Sequence, residues 1–336
     1  MRAAVFSTHA WERPFLDAAN ASAGHALTCF GESLHEGTAA LAEDFPAVCA
    51  FANDRLDAAV LRRLHGTGTK LVCLRSVGFN HVDLRQADSL GMTVLRVPAY
   101  SPHAVAEHTI ALLLAVDRKI HRAWARVREH NFALDGLLGF DLYGRTVGVI
   151  GTGRIGEVVV RILRGFGCEV LAHDPVPNPA VVAAGARYVD LGALWPACDV
   201  VTLHCPLTPA TRHLVDDAAI ASMRPGVVLL NTSRGAVVDS RALLAGLKSG
   251  KIGAVALDVY EEEGDLFFRD LSETVIQDDV FARLLTFPNV LVTGHQAFFT
   301  REALTAIAGT TIANLTGFEA GAPDPANRVT SEVYAR

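Results

Sequence analysis

The chain has 336 residues, half of them hydrophobic, and is therefore long enough to bury the cores of two domains. A formal net charge of −6 and the lack of a basic tract argue against nucleic acid as a main partner. The cysteines are scattered, the amino-terminal segment lacks the apolar core of a signal peptide, and no apolar run is long enough to cross a bilayer. These features predict a cytoplasmic protein that does not contact membranes.

The first hundred residues alternate short strand-like runs with helix-like stretches, which is the pattern of an α/β domain. The candidate strands are Ala3–Phe6, Ala26–Phe30, Ala47–Phe51, Leu71–Leu74 and Thr93–Arg96. No glycine-rich phosphate loop accompanies them. Two prolines, Pro98 and Pro102, then interrupt the chain and indicate a hinge near Tyr100.

A single long helix is predicted from about His103 to His130. Its front half, Ala104–Ala115, is apolar on nearly all sides, whereas its back half is rich in arginine. A helix that is this apolar either crosses a domain core or packs against another subunit. The helix therefore motivates the prediction of a homodimer, and the sequence leaves a homotetramer open.

The stretch Val147–Ile150 is typical of a buried parallel strand and leads into the pattern G-x-G-x-x-G, formed by Gly151, Gly153 and Gly156. A helix-like segment and a second apolar strand follow, and that strand ends at Asp174. This is the order of a dinucleotide-binding βαβ unit, whose helix amino terminus and glycines accommodate a pyrophosphate. Asp174 can accept hydrogen bonds from ribose hydroxyls and would repel a 2′-phosphate, so the sequence favours NAD over NADP. The alternative is a glycine-rich turn in a Rossmann-like domain that has lost its ligand.

Further strand–helix repeats complete the chain. The later candidate strands are Tyr188–Val189, Val200–Leu203, Val227–Leu230, Ala254–Leu257 and Val290–Val292. A last helical region is expected over Ala297–Gly317, and the tail from Gly321 is expected to be loosely ordered. The predicted fold is α/β with two Rossmann-like domains of parallel sheet. An NAD-binding domain, residues 101–298, is inserted into a flavodoxin-like substrate domain formed by residues 1–100 and 299–336. The active site is expected in the cleft between them, beyond the carboxyl ends of the strands.

Three segments at strand ends carry residues suited to carbonyl reduction. Arg234 follows one strand, and its guanidinium could hold a carboxylate in a two-pronged grip. Asp258 ends the next strand and precedes three glutamates, Glu261–Glu263. His295 follows the last strand and could give a proton to a carbonyl oxygen, oriented by a neighbouring carboxylate. No residue spacing indicates a metal site.

The chain resembles the D-2-hydroxyacid dehydrogenase family over nearly its whole length, and most closely that family's fermentative bacterial D-lactate dehydrogenase branch. The resemblance is carried by the stretches Leu74–Asn80, Arg96–Ser101, Val149–Gly156, Leu203–Thr208, Asn231–Gly235, Asp258–Glu261, Val275–Phe281 and Gly294–Phe298. Two positions depart from many members of the family, which have proline where this chain has Gly294 and aspartate where it has Asn80. Both departures match the D-lactate dehydrogenase branch.

The resemblance implies that Arg234 binds the substrate, that Glu263 pairs with the histidine, and that His295 is the acid and base. Glu263 is selected because it is the fifth residue after the aspartate of Asp-Val-Tyr, and Glu261 is a lesser candidate. The other implied substrate-binding residues are the backbone amides of Val77 and Gly78, the hinge residue Tyr100, and Phe51, whose bulk suits pyruvate.

The resemblance also implies a set of cofactor-binding residues. For the phosphates and ribose of NAD they are Gly151, Gly153, Arg154, Ile155, Gly156 and Asp174. Between adenosine and nicotinamide they are Cys205, Pro206 and Thr211, with Thr232, Ser233 and Asp258 towards the nicotinamide. The expected activity is reversible, NAD-dependent reduction of pyruvate to D-lactate. The alternatives are reduction of a larger 2-oxo acid such as phenylpyruvate, and an NAD-sensing interaction protein without turnover.

Overall fold

The structure, a computed structural model, describes residues 1–334 and contains two compact units. Unit 1 comprises Met1–Ser101 together with the residues from Phe299 onward, and unit 2 comprises Pro102–Phe298. No helix among the described residues is both long enough and apolar enough to span a membrane.

Twelve strands and twelve α-helices are present within residues 1–334. The strands are β1 (Arg2–Val5), β2 (Ala26–Cys29), β3 (Ala47–Ala50), β4 (Leu71–Leu74), β5 (Thr93–Leu95), β6 (Thr146–Ile150), β7 (Glu169–His173), β8 (Arg187–Tyr188), β9 (Val200–Leu203), β10 (Val227–Asn231), β11 (Ile252–Leu257) and β12 (Val290–Val292). The helices are α1 (Arg13–Asn20), α2 (Ala58–Gly66), α3 (Leu84–Ser89), α4 (Pro102–Asp117), α5 (Ile120–Arg128), α6 (Arg154–Gly165), α7 (Pro179–Ala183), α8 (Leu191–Ala197), α9 (Asp217–Ser222), α10 (Ser240–Lys248), α11 (Asp279–Leu284) and α12 (Arg301–Glu319).

Unit 1 is built on a five-stranded parallel sheet in the order β2-β1-β3-β4-β5, which is the flavodoxin-like order. Strands β3 and β4 are buried along their whole length because helices cover both faces of the sheet. Helix α12, from the carboxyl-terminal part of the chain, packs on α1 and β4.

For the described residues, the expectation of a loosely ordered tail from Gly321 is wrong; its last two residues, 335 and 336, lie outside the described part of the chain. Asn327 and Val329 are buried, and the Val329 amide donates to the Val94 carbonyl at 3.0 Å. Arg328 forms an antiparallel bridge with Leu95. Backbone pairing with β5 therefore fixes a segment whose proline-rich composition had indicated disorder.

Unit 2 is built on a seven-stranded parallel sheet in the order β12-β11-β10-β9-β6-β7-β8. Counted from β6, this is the Rossmann order 3-2-1-4-5-6 with a seventh strand at the edge. The order reverses between β6 and β9, and ligands of such sheets bind beyond the carboxyl ends of the strands at this point.

The single long helix predicted from His103 to His130 is also wrong, because α4 ends at Asp117 and α5 begins at Ile120. Lys119 between them has a left-handed backbone, with φ of 51°. The buried Asp117 carboxylate accepts the Phe140 amide at 2.9 Å, so a distant loop stabilises the break. The apolar part of α4 packs on α6, β10 and β11 of its own unit. The core-crossing interpretation of this helix is therefore correct, and its apolar face requires no second subunit.

Candidate active site

Three neighbouring strands, β10, β11 and β12, end at the same edge of the unit 2 sheet because all three are parallel. Arg234 lies three residues beyond β10, Asp258 follows β11 directly, and His295 lies three residues beyond β12. The topology therefore brings the predicted substrate-binding and acid–base residues of unit 2 to one edge.

His295 and Glu263 form a hydrogen bond of 2.7 Å between Nδ1 and Oε1. The other carboxylate oxygen, Oε2, accepts the Tyr260 amide at 2.9 Å, so the carboxylate is fixed on both sides. Because an ionised carboxylate only accepts hydrogen bonds, Nδ1 of His295 carries a proton. The other ring nitrogen, Nε2, is left for a reacting group.

Asp258 anchors the loop that carries His295. Its buried carboxylate accepts hydrogen bonds from the Thr293 hydroxyl and from the Gln296 and Ala297 amides. Its carbonyl accepts the His295 amide at 2.7 Å. His295 has a left-handed backbone, with φ of 53°, and such a conformation persists only when its surroundings hold it. The structure thus gives Asp258 a supporting part at His295.

Helix α4 contributes two residues that the sequence reasoning missed. His108 Nε2 lies 3.1 Å from the Thr293 hydroxyl and 3.4 Å from the Asp258 carboxylate. The Thr109 hydroxyl lies 2.8 Å from that of Thr232. Adjacent polar residues in the apolar front half of the helix were the available signal, because buried polar groups require partners.

Arg234 lies in a turn held by Asn231, whose side chain donates to the Arg234 carbonyl and accepts the Ser233 amide. The Arg234 guanidinium donates to the Ser233 carbonyl at 2.6 Å. A methyl group on Gly235 would lie 2.0 Å from the Tyr260 carbonyl. Only glycine lets this turn pack so closely on the segment that holds Glu263.

The glutamate run divides between two histidines. Glu261 accepts a hydrogen bond from His213 Nε2 at 2.5 Å and lies 3.7 Å from the Arg212 guanidinium. Glu262 is exposed. Glu263 alone of the three contacts His295. The choice of Glu263 over Glu261 rested on family spacing, and the geometry separates the two in the same way.

The glycine turn after β6 has the shape that a dinucleotide requires. Gly151 has φ of +91°, and a methyl group on Gly156 would lie 2.0 Å from the Gly151 carbonyl oxygen. Gly153 faces open space and immediately precedes α6, which begins at Arg154. Gly151 allows the turn and Gly156 allows the close packing, whereas Gly153 leaves a phosphate room to approach backbone amides.

Asp174 lies beside this turn at the end of β7. Its carboxylate accepts the Thr152 amide at 2.7 Å and the Val176 amide at 3.0 Å, which fixes its orientation. Cys205 packs closely against the same turn, because a methyl group on Gly151 would lie 2.4 Å from its backbone nitrogen. Burial raises the pKa of the Cys205 thiol to about 11, so the thiol stays protonated.

The remaining predicted residues occupy defined places. The Thr211 hydroxyl donates to the Pro206 carbonyl at 2.6 Å, which closes the loop after β9. In unit 1, Phe51 follows β3, the Val77–Gly78 turn follows β4, and Tyr100 lies close to the last residue before unit 2. Among the described residues, no group of three or more metal-ligating side chains is present.

Comparison with known proteins decides the family. Residues 110–297 match the family model for D-isomer specific 2-hydroxyacid dehydrogenase, NAD binding domain. The chain belongs to the D-isomer specific 2-hydroxyacid dehydrogenase family. It is 51% identical to D-lactate dehydrogenase of Escherichia coli over 325 residues, which cover 97% of this chain and 99% of that one.

Solved structures agree with this membership. The apo structure of Escherichia coli D-lactate dehydrogenase matches with a TM-score of 0.89 and 48% identity, covering 98% of this chain and 100% of that one. D-Lactate dehydrogenase from Aquifex aeolicus, solved with NAD and lactic acid, matches with a TM-score of 0.84 and 33% identity over 95% of this chain and 96% of that one. The predicted family, the two-domain α/β fold and the NAD cofactor are confirmed.

Proposed function

We propose that the protein is an NAD-dependent D-lactate dehydrogenase that reduces pyruvate to D-lactate and catalyses the reverse reaction. The observation that carries the proposal is the His295–Glu263 hydrogen bond at the strand edge that also bears Arg234. The relative from Escherichia coli, half of whose residues are identical, supports pyruvate as the substrate.

The residues of unit 2 divide the chemistry among themselves. Bound NADH supplies the hydride for the carbonyl carbon of the substrate. Arg234 binds the substrate carboxylate through two guanidinium nitrogens. His295 donates the proton on Nε2 to the carbonyl oxygen, and Glu263 stabilises the charged ring and fixes its orientation. In the reverse direction, neutral His295 accepts the proton of the lactate hydroxyl.

For the cofactor we propose the residue set that the family resemblance implies. The turn from Gly151 to Gly156, with Arg154 and Ile155, holds the pyrophosphate, and Asp174 binds the ribose hydroxyls. The remaining contacts along the dinucleotide are assigned to Cys205, Pro206, Thr211, Thr232, Ser233 and Asp258.

Substrate size is assigned to Phe51, and carboxylate binding in unit 1 to the amides of Val77 and Gly78, with Tyr100 as a further substrate contact. Phe51 is 4% exposed, and its ring packs against those of His9 and Trp11, which supports a small substrate side chain. Reduction of a larger 2-oxo acid is the competing assignment.

The test is NADH oxidation with a panel of 2-oxo acids, followed by chiral chromatography of the product. Turnover of pyruvate to D-lactate is the expected result. Turnover of bulky 2-oxo acids alone would overturn the substrate assignment. Tight NADH binding without any turnover would favour an NAD-sensing protein.

The role of His295 has a matched control in the second histidine–glutamate pair. His295→Gln should lower turnover by about 100-fold or more and leave NADH binding unchanged, because a general acid is lost. His213→Gln removes the partner of Glu261 instead and should retain turnover. If His295→Gln retained turnover as fully as His213→Gln, His295 would be removed from the mechanism.

We further propose that a second copy of this chain covers the outer face of α5. Ile120, Trp124 and Val127 recur at helical spacing and are 54%, 62% and 50% exposed. The following loop adds exposed apolar side chains, namely Phe132, Leu134 and Leu138. Light scattering should give a dimer or a tetramer, and Trp124→Lys should shift it towards monomer. A monomeric wild type at micromolar concentration would end this proposal.

Six free thiols, five of them buried, support a location in the reducing cytoplasm.

A further inference from the structure

The turn that follows β4 has its carbonyl groups occupied and its amides unoccupied. The Ser76 hydroxyl donates to the Gly78 carbonyl at 2.7 Å, and Arg96 Nη1 donates to the Val77 carbonyl at 3.0 Å. Within residues 1–334, the amides of Val77 and Gly78 donate no hydrogen bond. Successive free amides of this kind form an anion-binding concavity.

Arg96 is fixed in place at this turn. Its amide donates to the Asn327 carbonyl at 2.8 Å, and its carbonyl accepts the Asn314 side chain at 3.1 Å. Its guanidinium lies over the Phe79 ring, with 5.3 Å between the guanidinium carbon and the ring centroid. Backbone and side chain are therefore both held, and the hydrogen bond to Val77 has little freedom to move.

The charge of Arg96 has no counterion among the described residues. Burial is the only cause that lowers the pKa of its guanidinium, which remains positive at neutral pH. Its Nε–H is buried and has no hydrogen-bond partner within the described part of the chain. A half-buried cation without an anion carries a desolvation cost that binding of an anionic ligand would offset.

A second arginine in the same unit shows the contrast. Arg75 is fully buried, and its Nε lies 2.7 Å from the Glu12 carboxylate. Its charge is therefore neutralised inside the protein. Arg96 lies at the turn with free amides and has no counterion among the described residues, so its charge can attract a ligand, whereas that of Arg75 cannot.

We propose that Arg96 positions the Val77–Gly78 peptide for the carboxylate of the 2-oxo acid substrate. The peptide is trans, so its carbonyl and the Gly78 N–H point in opposite directions, and holding one fixes the other. A hydrogen bond from a cation to the carbonyl also polarises the peptide and strengthens the Gly78 N–H as a donor. The positive charge of Arg96 adds to the attraction for an anion. This inference rests on the proposed function, because it takes the substrate to be a carboxylate.

The experiment compares Arg96→Met and Arg96→Lys with the wild type, using pyruvate kinetics and binding of oxamate, a pyruvate isostere, to the NADH complex. Arg96→Met should raise KM and the oxamate Kd by about 10- to 100-fold, the loss typical of one charge-assisted hydrogen bond. kcat should change far less, and NADH affinity and Tm should stay near their wild-type values. Arg96→Lys, which keeps the charge, should recover part of the loss.

The control is Arg62→Met, which removes an exposed arginine hydrogen-bonded to Gln86 in the same unit and should change neither constant. An unchanged KM in Arg96→Met would overturn the inference, as would parallel losses of kcat, NADH affinity and Tm. If the wild type binds oxamate but does not turn over pyruvate, the proposed function fails, and the oxamate Kd of the variants still decides the role of Arg96. A wild type that binds no 2-oxo acid would overturn both.

Discussion

The two units share a parallel, doubly wound architecture but differ in the turn that follows their first strand. Strands β1 and β6 each lie where the strand order of their sheet reverses, the usual ligand site of such folds. After β6 the chain has small residues and free space at Gly153. After β1, charged side chains of the chain itself occupy the corresponding turn.

Buried charges fill the unit 1 turn. Arg75 binds the Glu12 carboxylate and donates to the carbonyls of Phe6 and Cys49. Asp54 accepts the Ser7 hydroxyl at 2.6 Å, and burial raises the pKa of its carboxyl group. The fold therefore creates an equivalent place in both sheets, and the local side chains decide whether a ligand or the protein fills it.

The largest effect is expected from breaking the charged pair in unit 1. Arg75→Met leaves Glu12 buried without a partner and should lower the free energy of unfolding by about 3–5 kcal/mol. The double variant Glu12→Leu/Arg75→Met should recover much of that loss, because no isolated charge remains. Urea unfolding measures both. Arg13→Met, which breaks the exposed pair with Asp17, is the control and should have little effect.

A double variant no more stable than Arg75→Met would show that the arginine acts through its carbonyl hydrogen bonds rather than through the ion pair.

The glycine turn of unit 2 should respond in two different ways. Gly156→Ala places a methyl group against the Gly151 backbone and should lower stability by about 1–3 kcal/mol through overpacking. Gly153→Ala has space for its methyl group, so folding should be retained while NADH affinity falls by about tenfold, or about 1.4 kcal/mol. Thermal unfolding and NADH titration separate the two. Unchanged NADH affinity in Gly153→Ala would remove this glycine from the cofactor site.

Acid should weaken unit 2 through His204, which lies against the glycine turn. Burial lowers the pKa of His204 from 6.5 to about 3, so the folded ring stays neutral. Below pH 6.5 the unfolded chain binds a proton that the folded chain does not, and stability is lost as the pH falls. The loss should reach about 2 kcal/mol between pH 7 and pH 5. His204→Gln should flatten the stability–pH curve over this range, and an unchanged curve would contradict the assignment.

The sequence predicts structure that depends on neighbouring residues. It does not predict structure that depends on a contact between residues far apart in the chain. The strands and the glycine turn follow from apolar runs and local spacing, so they could be predicted. The break at Lys119 could not, because it depends on a hydrogen bond between Asp117 and Phe140. The three consecutive glutamates have the same local chemistry, so without the family resemblance the sequence does not distinguish them. In the structure, the positions of His213 and His295 separate Glu261 from Glu263.

An effect as small as that of Gly153→Ala should come from Phe51, which follows β3 and contacts the charged residues that fill the unit 1 turn but is assigned to the substrate. Its amide donates to Asp54 at 2.6 Å, and the Arg75 guanidinium carbon lies 5.5 Å from its ring centroid. Phe51→Val should raise the kcat/KM ratio of phenylpyruvate to pyruvate by about tenfold, because the lost ring opens space for a larger side chain. Phe45→Val, which removes an aromatic ring just before the amino end of β3, should leave that ratio unchanged. An unchanged ratio in both variants would mean that the unit 1 turn is filled for stability alone.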